Sequence, residues 1–260
     1  MKLQSVVGVA CGLALLSGLA GALSGFRMTN AYESSGERTA TIVSSLRQHM
    51  TADMMHDNLR GVVFRSLYAA SIQDKEMAKD AQEDLKKAAQ TFRDAIKAQQ
   101  ALDLPLSVRT PLAELAAPLN NYVNSAEAIV GLGIAGKSDE GKAALPAFLA
   151  SFAVLEKEMS DVSDAIEKAG STETASAAAL GKASMVANWI ILALAGILFT
   201  AYFVLCRRLV IRPLVGVAQA MLAVAAGKQE EPAAITSGIA EIQDLSSALT
   251  TFRAHVLDRN

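Results

Sequence analysis

Two apolar stretches without a charged residue, Leu3–Phe26 and Ala183–Cys206, most constrain the fold of this 260-residue chain. Each contains 24 residues, and at the helical rise it is about 36 Å long, enough to cross the hydrocarbon core of a bilayer. Inside a bilayer the backbone polar groups must bond within the segment, so each stretch is predicted to be a helix. The sequence therefore predicts two transmembrane helices, residues 3–26 and 183–206, on either side of a large extramembrane domain, residues 27–182.

The positive charges beside the two stretches predict the orientation of the chain. Lys2 precedes the first stretch, and Arg207, Arg208 and Arg212 follow the second. Positively charged residues close to a span tend to stay on the cytoplasmic side. We therefore expect a two-span protein of a bacterial inner membrane, with both termini in the cytoplasm and residues 27–182 in the periplasm.

The first stretch has an alternative interpretation as a cleaved signal peptide. Ala20-Gly21-Ala22 resembles a cleavage site, and Lys2 supplies the positive charge that precedes such a peptide. However, the apolar region of a signal peptide is about 7–15 residues long, and this stretch is longer. We therefore expect the stretch to be retained as a span.

Composition and motifs argue against several classes of function. The net charge is −2, so no binding of nucleic acid is expected. The two cysteines, Cys11 and Cys206, both lie in the apolar stretches, so we expect no disulfide framework in the domain between them. We find neither a phosphate-binding loop nor a Ser/His/Asp, Cys/His or zinc-protease motif. We therefore expect neither an enzyme nor a bound cofactor.

The extramembrane domain is rich in good helix formers and has no alternating pattern typical of strands, so we expect an all-α fold. Four helices joined by short connections would form an up-down-up-down bundle. The first helix continues from the first span, and the last continues into the second span. In chain order, the predicted helices end at about Ile72, cover about Asp74–Leu102, cover about Thr110–Ile134, and begin at about Ser138.

Apolar residues at spacings of three and four mark the face that each helix is expected to turn to the core. In the third helix, Thr110 is the expected N-cap, Pro111 the first helical residue and Pro118 the site of a kink. The expected core positions are Val43, Leu46, Met50, Leu59, Val63 and Leu67 in the first helix, Met77, Ala81, Leu85, Ala88, Phe92 and Ile96 in the second, and Phe148, Phe152, Leu155, Met159, Val162 and Ile166 in the fourth.

The segment after the second span contains two short heptad patterns. Two such helices cannot bury their apolar seams alone, so we expect them to pair with each other and with a second copy of the chain. This predicts a homodimer. The seam positions are Leu214, Val217, Met221 and Val224 in the first tail helix, and Ile242, Leu245, Leu249, Phe252 and Val256 in the second.

The tail resembles a HAMP domain, the helical linker of bacterial transmembrane receptors. Pro213 matches the proline that opens the first HAMP helix, and Gly227 matches the glycine that closes it. Glu241-Ile242 matches the acidic–aliphatic pair that opens the second helix. The resemblance implies that residues 207–260 form a HAMP domain and that these four residues relay a signal.

Two further segments are similar to methyl-accepting chemotaxis proteins: residues 55–63, which resemble the first helix of such receptors, and residues 249–253, which resemble the end of their HAMP domain. The resemblance implies a chemoreceptor-like sensor that passes a periplasmic stimulus, such as a small-molecule ligand, through HAMP to the cytoplasm. The long cytoplasmic signalling hairpin of that family does not occur before Asn260. We therefore expect a truncated receptor or one that signals to a separate downstream protein.

Two other functions fit the same layout. The chain is alternatively the input module of a sensor histidine kinase or a nucleotide cyclase, because HAMP domains also serve those proteins. It is alternatively a dimeric membrane stalk that senses nothing. An output domain encoded beside this chain would favour the first of these, and the absence of any ligand would favour the second.

Three polar residues of the first helix are candidate metal ligands. His49, Asp53 and His56 are spaced so that a helix places them on one face. Imidazole and carboxylate groups bind metal ions, and imidazole also responds to protons. Two chains together would supply enough ligands for a metal site between the first helices of two protomers. The alternative is an ordinary solvated face of a long helix.

Arginines of the same helix are candidates for binding an anionic ligand. Arg60 and Arg65 are expected to face a ligand carboxylate, as arginines do in related sensors, and His56 is a further candidate ligand-binding residue. The alternative for Arg60 is a surface ion pair with Asp57, which is three residues earlier on the helix and would add little stability.

Overall fold

The structure is a computed structural model, which describes residues 2–226 and 237–257. Within these ranges the chain forms helices and turns and no strand, so the all-α prediction is confirmed. The helices are α1 (Leu3–Ser71), α2 (Lys75–Gln100), α3 (Leu106–Glu114), α4 (Ala116–Ile134), α5 (Ser138–Cys206), α6 (Arg212–Ala225) and α7 (Ala240–Leu257), with a π-helical turn, Arg207–Ile211, between α5 and α6.

Two helical segments of the described chain, Leu3–Ser71 and Ser138–Ala225, are long and apolar enough to cross a membrane, judged by length and composition. The most apolar window of each is almost entirely exposed within the chain. Large apolar side chains such as Leu16, Trp189 and Phe199 are each more than three-fifths exposed there. A surface of this kind is unfavourable in water and favourable in lipid.

The chain divides into two compact units, of which one is Ala31–Leu180. In this unit, parts of α1 and α5 pack with α2, α3 and α4 around one apolar core. The core positions predicted for the last helix are all buried, and so are those of α2 except Met77, which is half-buried. Their spacing of three and four therefore identified the core-facing sides of both helices correctly.

The core stripe predicted for α1 is wrong in its first half. Leu59 and Val63 are buried, but Val43, Leu46 and Met50 are exposed. The prediction joined two different faces of one helix. The face that turns to the core carries polar as well as apolar residues, at a regular spacing of three and four: Ile42, Ser45, His49, Ala52, His56, Leu59, Val63, Ser66 and Ala70.

The third predicted helix begins earlier than expected and is divided in two. α3 begins at Leu106, so Thr110 is not an N-cap and Pro111 lies inside the helix. The break between α3 and α4 lies at Leu115, three residues before Pro118. A proline has no N–H group to donate and its ring crowds the carbonyl four residues earlier, which for Pro118 is that of Glu114, the last residue of α3. The break therefore lies where a kink caused by Pro118 is expected.

Close contact between α4 and α1 depends on a glycine. A Cβ atom added at Gly133 would overlap Ser66 Oγ and lie 3.0 Å from the Ser66 carbonyl oxygen. The Ser66 hydroxyl is buried and donates a hydrogen bond to the Val130 carbonyl oxygen, at 3.4 Å. A larger residue at position 133 would therefore have to push α4 away from α1.

The second unit comprises Met1–Asn30 and Gly181–Asn260. Its apolar cluster joins the beginning of α1 to α6 and α7. The exposed parts of the two tail seams include Leu214, Met221, Leu245 and Phe252. Gly227 and the connector that contains Pro232 lie outside the described residues, as does the side chain of Val256. The buried members of the cluster are Val6, Val217, Ala220, Ile239, Ile242 and Leu249.

Candidate functional site

The core of residues 31–180 contains a histidine among aromatic rings. His56 of α1 is 3% exposed. Its ring stacks on Phe152 of α5, with the ring centroids 4.0 Å apart and an angle of 8° between the ring planes. Tyr122 of α4 and Phe92 of α2 lie at 5.0 Å and 6.4 Å, measured between centroids. Four helices therefore meet at this imidazole.

Arg60, one helical turn after His56, contacts the same phenylalanine. The Cζ atom of Arg60 lies 4.2 Å from the centroid of the Phe152 ring. Two groups that each lie about 4 Å above one ring must occupy its opposite faces. Phe152 of α5 is thus held between two side chains of α1, by stacking on one face and by a cation–π contact on the other. We call these three side chains the Phe152 stack.

Two hydrogen bonds fix the histidine in this position. His56 Nε2 lies 3.3 Å from the Phe152 carbonyl oxygen, so Nε2 carries the proton that it donates to this acceptor. The Tyr122 hydroxyl donates to the His56 carbonyl oxygen at 2.7 Å. Burial raises the pKa of Tyr122, so its hydroxyl keeps the proton that it donates.

Burial lowers the pKa of His56, which is therefore neutral at pH 7. The hydrogen bond to the Phe152 carbonyl and the carboxylates of Asp57, Asp53 and Glu156 act in the opposite direction but are the smaller influences. All three carboxylates belong to exposed residues, where water screens their charge.

A second buried polar group lies two helical turns away. His49 is 6% exposed, and burial also lowers its pKa, against a smaller opposing influence from Asp53. One turn before it, the buried Ser45 hydroxyl accepts a hydrogen bond from Gln99 Nε2 of α2 at 3.0 Å. The Nδ1 atom of His49 and the Oε1 atom of Gln99 are buried without a hydrogen-bond partner. Unpaired buried groups such as these cost stability.

The structure does not assemble the predicted metal ligands. Both histidines point to the core whereas Asp53 is exposed, so the expectation of a solvated face is wrong for the histidines. Their burial also keeps both imidazoles away from any partner that packs on the outside of α1. No group of three metal-ligating side chains that could hold an ion occurs in the part of the chain that the structure describes.

Each of the two candidate ligand-binding arginines has a partner within the domain. Arg60 pairs with Asp57 at 2.9 Å, as its spacing predicts, in addition to its contact with Phe152. Arg65 pairs with Asp84 of α2 at 2.5 Å. An anionic ligand would have to displace a carboxylate at either arginine. Their role in binding a ligand stays a prediction.

A cavity of about 440 Å³ opens between α1, α5 and the connection from α2 to α3. One wall carries an ion pair in which Arg38 Nε donates to Glu173 at 2.9 Å, and the buried Ser35 hydroxyl donates to the same carboxylate at 2.7 Å. Hydrogen bonds from Arg38 and then Ser35 lower the pKa of Glu173, which keeps it ionised. The other lining residues are Thr41, Ile42, Asp103, Leu104, Pro105, Ser107, Lys168, Ala169 and Thr172.

In the tail, three of the four residues matched to the signal relay are described. Pro213 and Ile242 are buried. Glu241 lies in the first turn of α7, and its carboxylate accepts a hydrogen bond from the backbone N–H of Leu3 at 3.1 Å. Gly227 lies outside the described residues, so its predicted position at the end of α6 stays a prediction.

Sequence reasoning did not anticipate that Phe152 would be a contact of His56 and Arg60, nor that Gln99 would bond Ser45. One signal was present. His49 and His56 fall on the same spacing as Ala52, Leu59 and Val63, which are core residues. If the core-facing side of α1 is taken as the side that carries Leu59, and not the side that carries Met50, this spacing predicts burial for all of them.

Comparison of the whole chain with protein-family models, with curated proteins and with solved structures gives no match in any of the three.

Proposed function

We propose that this chain is a non-enzymatic receptor of the bacterial inner membrane. Residues 31–180 act as a periplasmic four-helix bundle that receives the stimulus, and the tail acts as a HAMP-like relay in the cytoplasm. The observation that carries the proposal is the Phe152 stack. It joins α1 to α5, and these two helices also contain the candidate spans. A change at this contact can therefore reach both spans through continuous helix.

The proposed receptor works as a homodimer, and the outer face of α1 supports this. Between residues 43 and 72 this face exposes large apolar side chains at spacings that follow one side of a helix. Polar residues would be expected on a helix face that only meets water. A second copy of α1 packed on this face would bury them. They are Val43, Leu46, Met50, Met54, Phe64, Tyr68 and Ile72, and each is more than two-fifths exposed.

The tail supports a homodimer on separate evidence. Val217 and Ile242 are buried within one chain, but Met221 and Leu245 of the same seams are exposed. One chain therefore covers only part of its own seams. Two copies that cover the rest would form the parallel four-helix arrangement of a HAMP domain. A helix packing of this kind can have two alternative arrangements, which is what a relay requires.

Single-cysteine crosslinking in membranes tests the dimer and the relay together. Cys11 and Cys206 are first replaced by serine, and cysteines are then placed one at a time along residues 43–72 and along both tail seams. Crosslinks between chains are expected at the exposed apolar positions. Cysteines at Lys86 and Gln90, on the exposed face of α2, are the matched controls and should not crosslink. Equal crosslinking at all positions would contradict the proposal.

Topology is tested by reporter fusions at about residue 120 and at the C-terminus. The proposal requires a reporter active in the periplasm at the first position and one active in the cytoplasm at the second. The opposite result would place the domain inside the cell and exclude a periplasmic sensor.

The cavity beside Glu173 offers the place for a small-molecule ligand, because its lining combines polar and apolar side chains. A screen of small molecules for an increase in the melting temperature would identify the ligand, since a compound that binds only the folded state stabilises it. The variant Lys168→Gln should lose the effect if the ligand binds here. We further propose that the receptor passes its signal to a downstream protein, which copurification from crosslinked cells would reveal.

A further inference from the structure

The Phe152 stack places a titratable ring at the contact between the two helices that continue into the candidate spans. His56 has one nitrogen in a hydrogen bond to the backbone of α5 and one ring face against Phe152. The opposite face of Phe152 is occupied by the permanent positive charge of Arg60. The packing around His56 therefore suits a neutral imidazole.

We propose that the Phe152 stack is a proton-operated switch, in which protonation of His56 releases its ring from Phe152 and loosens α1 from α5. Only the effect of this switch on the two spans rests on the proposed sensor function. The switch itself is a property of residues 31–180. It assigns the proton as a stimulus of this domain.

Burial is the first reason that protonation is costly in the stacked position. His56 is almost fully buried among aromatic rings, and a charge without full pairing is strongly unfavourable in such surroundings. Arg60 is the second reason. A cation–π contact is favourable because the ring face carries negative charge density, and Arg60 already makes this contact with Phe152. An imidazolium on the other face of Phe152 would be repelled by the positive charge of Arg60 across the ring.

The charged groups around the stack show where a protonated ring would move. The carboxylates of Asp53 and Asp57 on α1 and of Glu156 on α5 act electrostatically on His56, and Asp57 is also paired with Arg60. These three residues are exposed. α4 contributes the neutral Tyr122 hydroxyl, and α2 contributes the apolar Phe92 ring. An imidazolium that leaves Phe152 would therefore find both water and negative charge at the edge of the core.

The direction of the pH effect follows from the lowered pKa of the folded state. The pKa of His56 in the folded state lies below the unfolded value of about 6.5. The packing of the neutral ring therefore has its full stability above about pH 6.5. This stabilisation is lost as the pH falls below about 6.5 and towards the folded pKa. The switch is therefore closed at neutral pH and opens in acid.

Hydrogen exchange of the full-length protein in lipid nanodiscs tests the switch. Backbone exchange in residues 52–60 and 148–156 is compared at pH 7.5 and pH 5.5, after correction for the intrinsic effect of pH on exchange. A loss of protection of about tenfold is expected at pH 5.5. In His56→Phe, which keeps an aromatic ring but cannot be protonated, protection should be unchanged between the two pH values.

Two further variants keep the test decisive if His56→Phe does not fold. His49→Gln removes the other buried histidine and should retain the acid effect at 52–60. Arg60→Gln removes the positive charge beneath Phe152, so His56 should accept its proton about tenfold more readily and the transition should move to higher pH. Loss of the effect in His49→Gln, or an unchanged transition in Arg60→Gln, would overturn the proposal.

The switch and the receptor can fail separately. The acid effect on exchange, together with unchanged crosslinking between the tail seams at the two pH values, supports the switch and contradicts relay to the tail. Crosslinking that changes with pH while exchange at 52–60 does not change would overturn the switch and leave the receptor intact. Persistence of the acid effect in a folded His56→Phe protein would also overturn the switch.

Discussion

α1 and α5 have the same length, 69 residues each, and both contribute to the core of residues 31–180, but they do so with opposite distributions of polarity. The core face of α5 is apolar throughout, from Phe148 to Ile166. The core face of α1 is interrupted by four buried polar residues, Ser45, His49, His56 and Ser66, and its outer face is apolar. We infer that α5 provides stability inside one chain, whereas α1 is also built to contact something outside it.

The difference between the two helices should be largest for two phenylalanines. Phe148 of α5 is fully buried, so Phe148→Ala should reduce the free energy of unfolding of the domain by about 3–5 kcal/mol. Phe64 on the outer face of α1 is 44% exposed, so Phe64→Ala should cost the domain no more than about 1 kcal/mol. Urea unfolding of the full-length protein in detergent, followed by circular dichroism, measures both. Equal losses would break the comparison.

The contact of α1 with α4 depends on the absence of a side chain. Gly133→Ala should reduce the free energy of unfolding by about 1–3 kcal/mol, because the added Cβ atom meets Ser66. Gly131→Ala is the matched control, since a Cβ atom there meets nothing within 4 Å. In a helix interior that change should stabilise the domain by up to about 1 kcal/mol. A loss of the same size in both variants would mean that helix propensity, and not the contact, decides the effect.

The buried polar side chains of α1 should be energetically coupled to their hydrogen-bond partners in the core. Ser45→Ala alone leaves Gln99 Nε2 buried without an acceptor and should cost about 1–3 kcal/mol. The double variant Ser45→Ala with Gln99→Leu removes both groups and should be nearly as stable as the natural protein. A double-mutant cycle from the same unfolding experiment should give a coupling of about 1 kcal/mol. Simple additivity would show that the two side chains do not act as a pair.

The smallest effect is expected at the surface. Asp84→Asn breaks the ion pair with Arg65, in which both side chains are about two-fifths exposed. Exposed pairs contribute about 0–1 kcal/mol, and the effect should decrease further at high salt. The melting temperature at two salt concentrations measures it. A salt-independent loss of several degrees would show that the pair behaves as a buried one.

The parts of the fold that could be predicted are those in which one physical signal dominates. On α2 and α5 the apolar residues all lie on one side, so Phe92 and Leu155 could be assigned to the core from spacing alone. On α1 two apolar faces compete, and a hydrophobic pattern cannot tell a core from a second contact surface. Val43 and Met50 were therefore assigned to the wrong one.

The candidate site could be predicted only in its residue types. The spacing of His49 and His56 places them on one face, but α1 has two apolar faces and spacing alone does not tell which of them is buried. The contacts of His56 with Phe152 and Tyr122 join residues far apart in sequence, and no local pattern specifies such pairs. Similarly, the beginning of α3 at Leu106 depends on how the chain leaves Pro105, which outweighed the cap signal at Thr110.

We expect the exposed apolar face of α1 also to affect how the protein behaves in concentrated solution. The whole chain has a net charge of only −2 at pH 7, so electrostatic repulsion between copies is weak. An apolar stripe left uncovered can then adhere to any similar surface. We therefore expect the colloidal stability of this protein to depend on the proposed dimer, and a variant that weakens the proposed pairing at Met50 or Phe64 should precipitate before it unfolds.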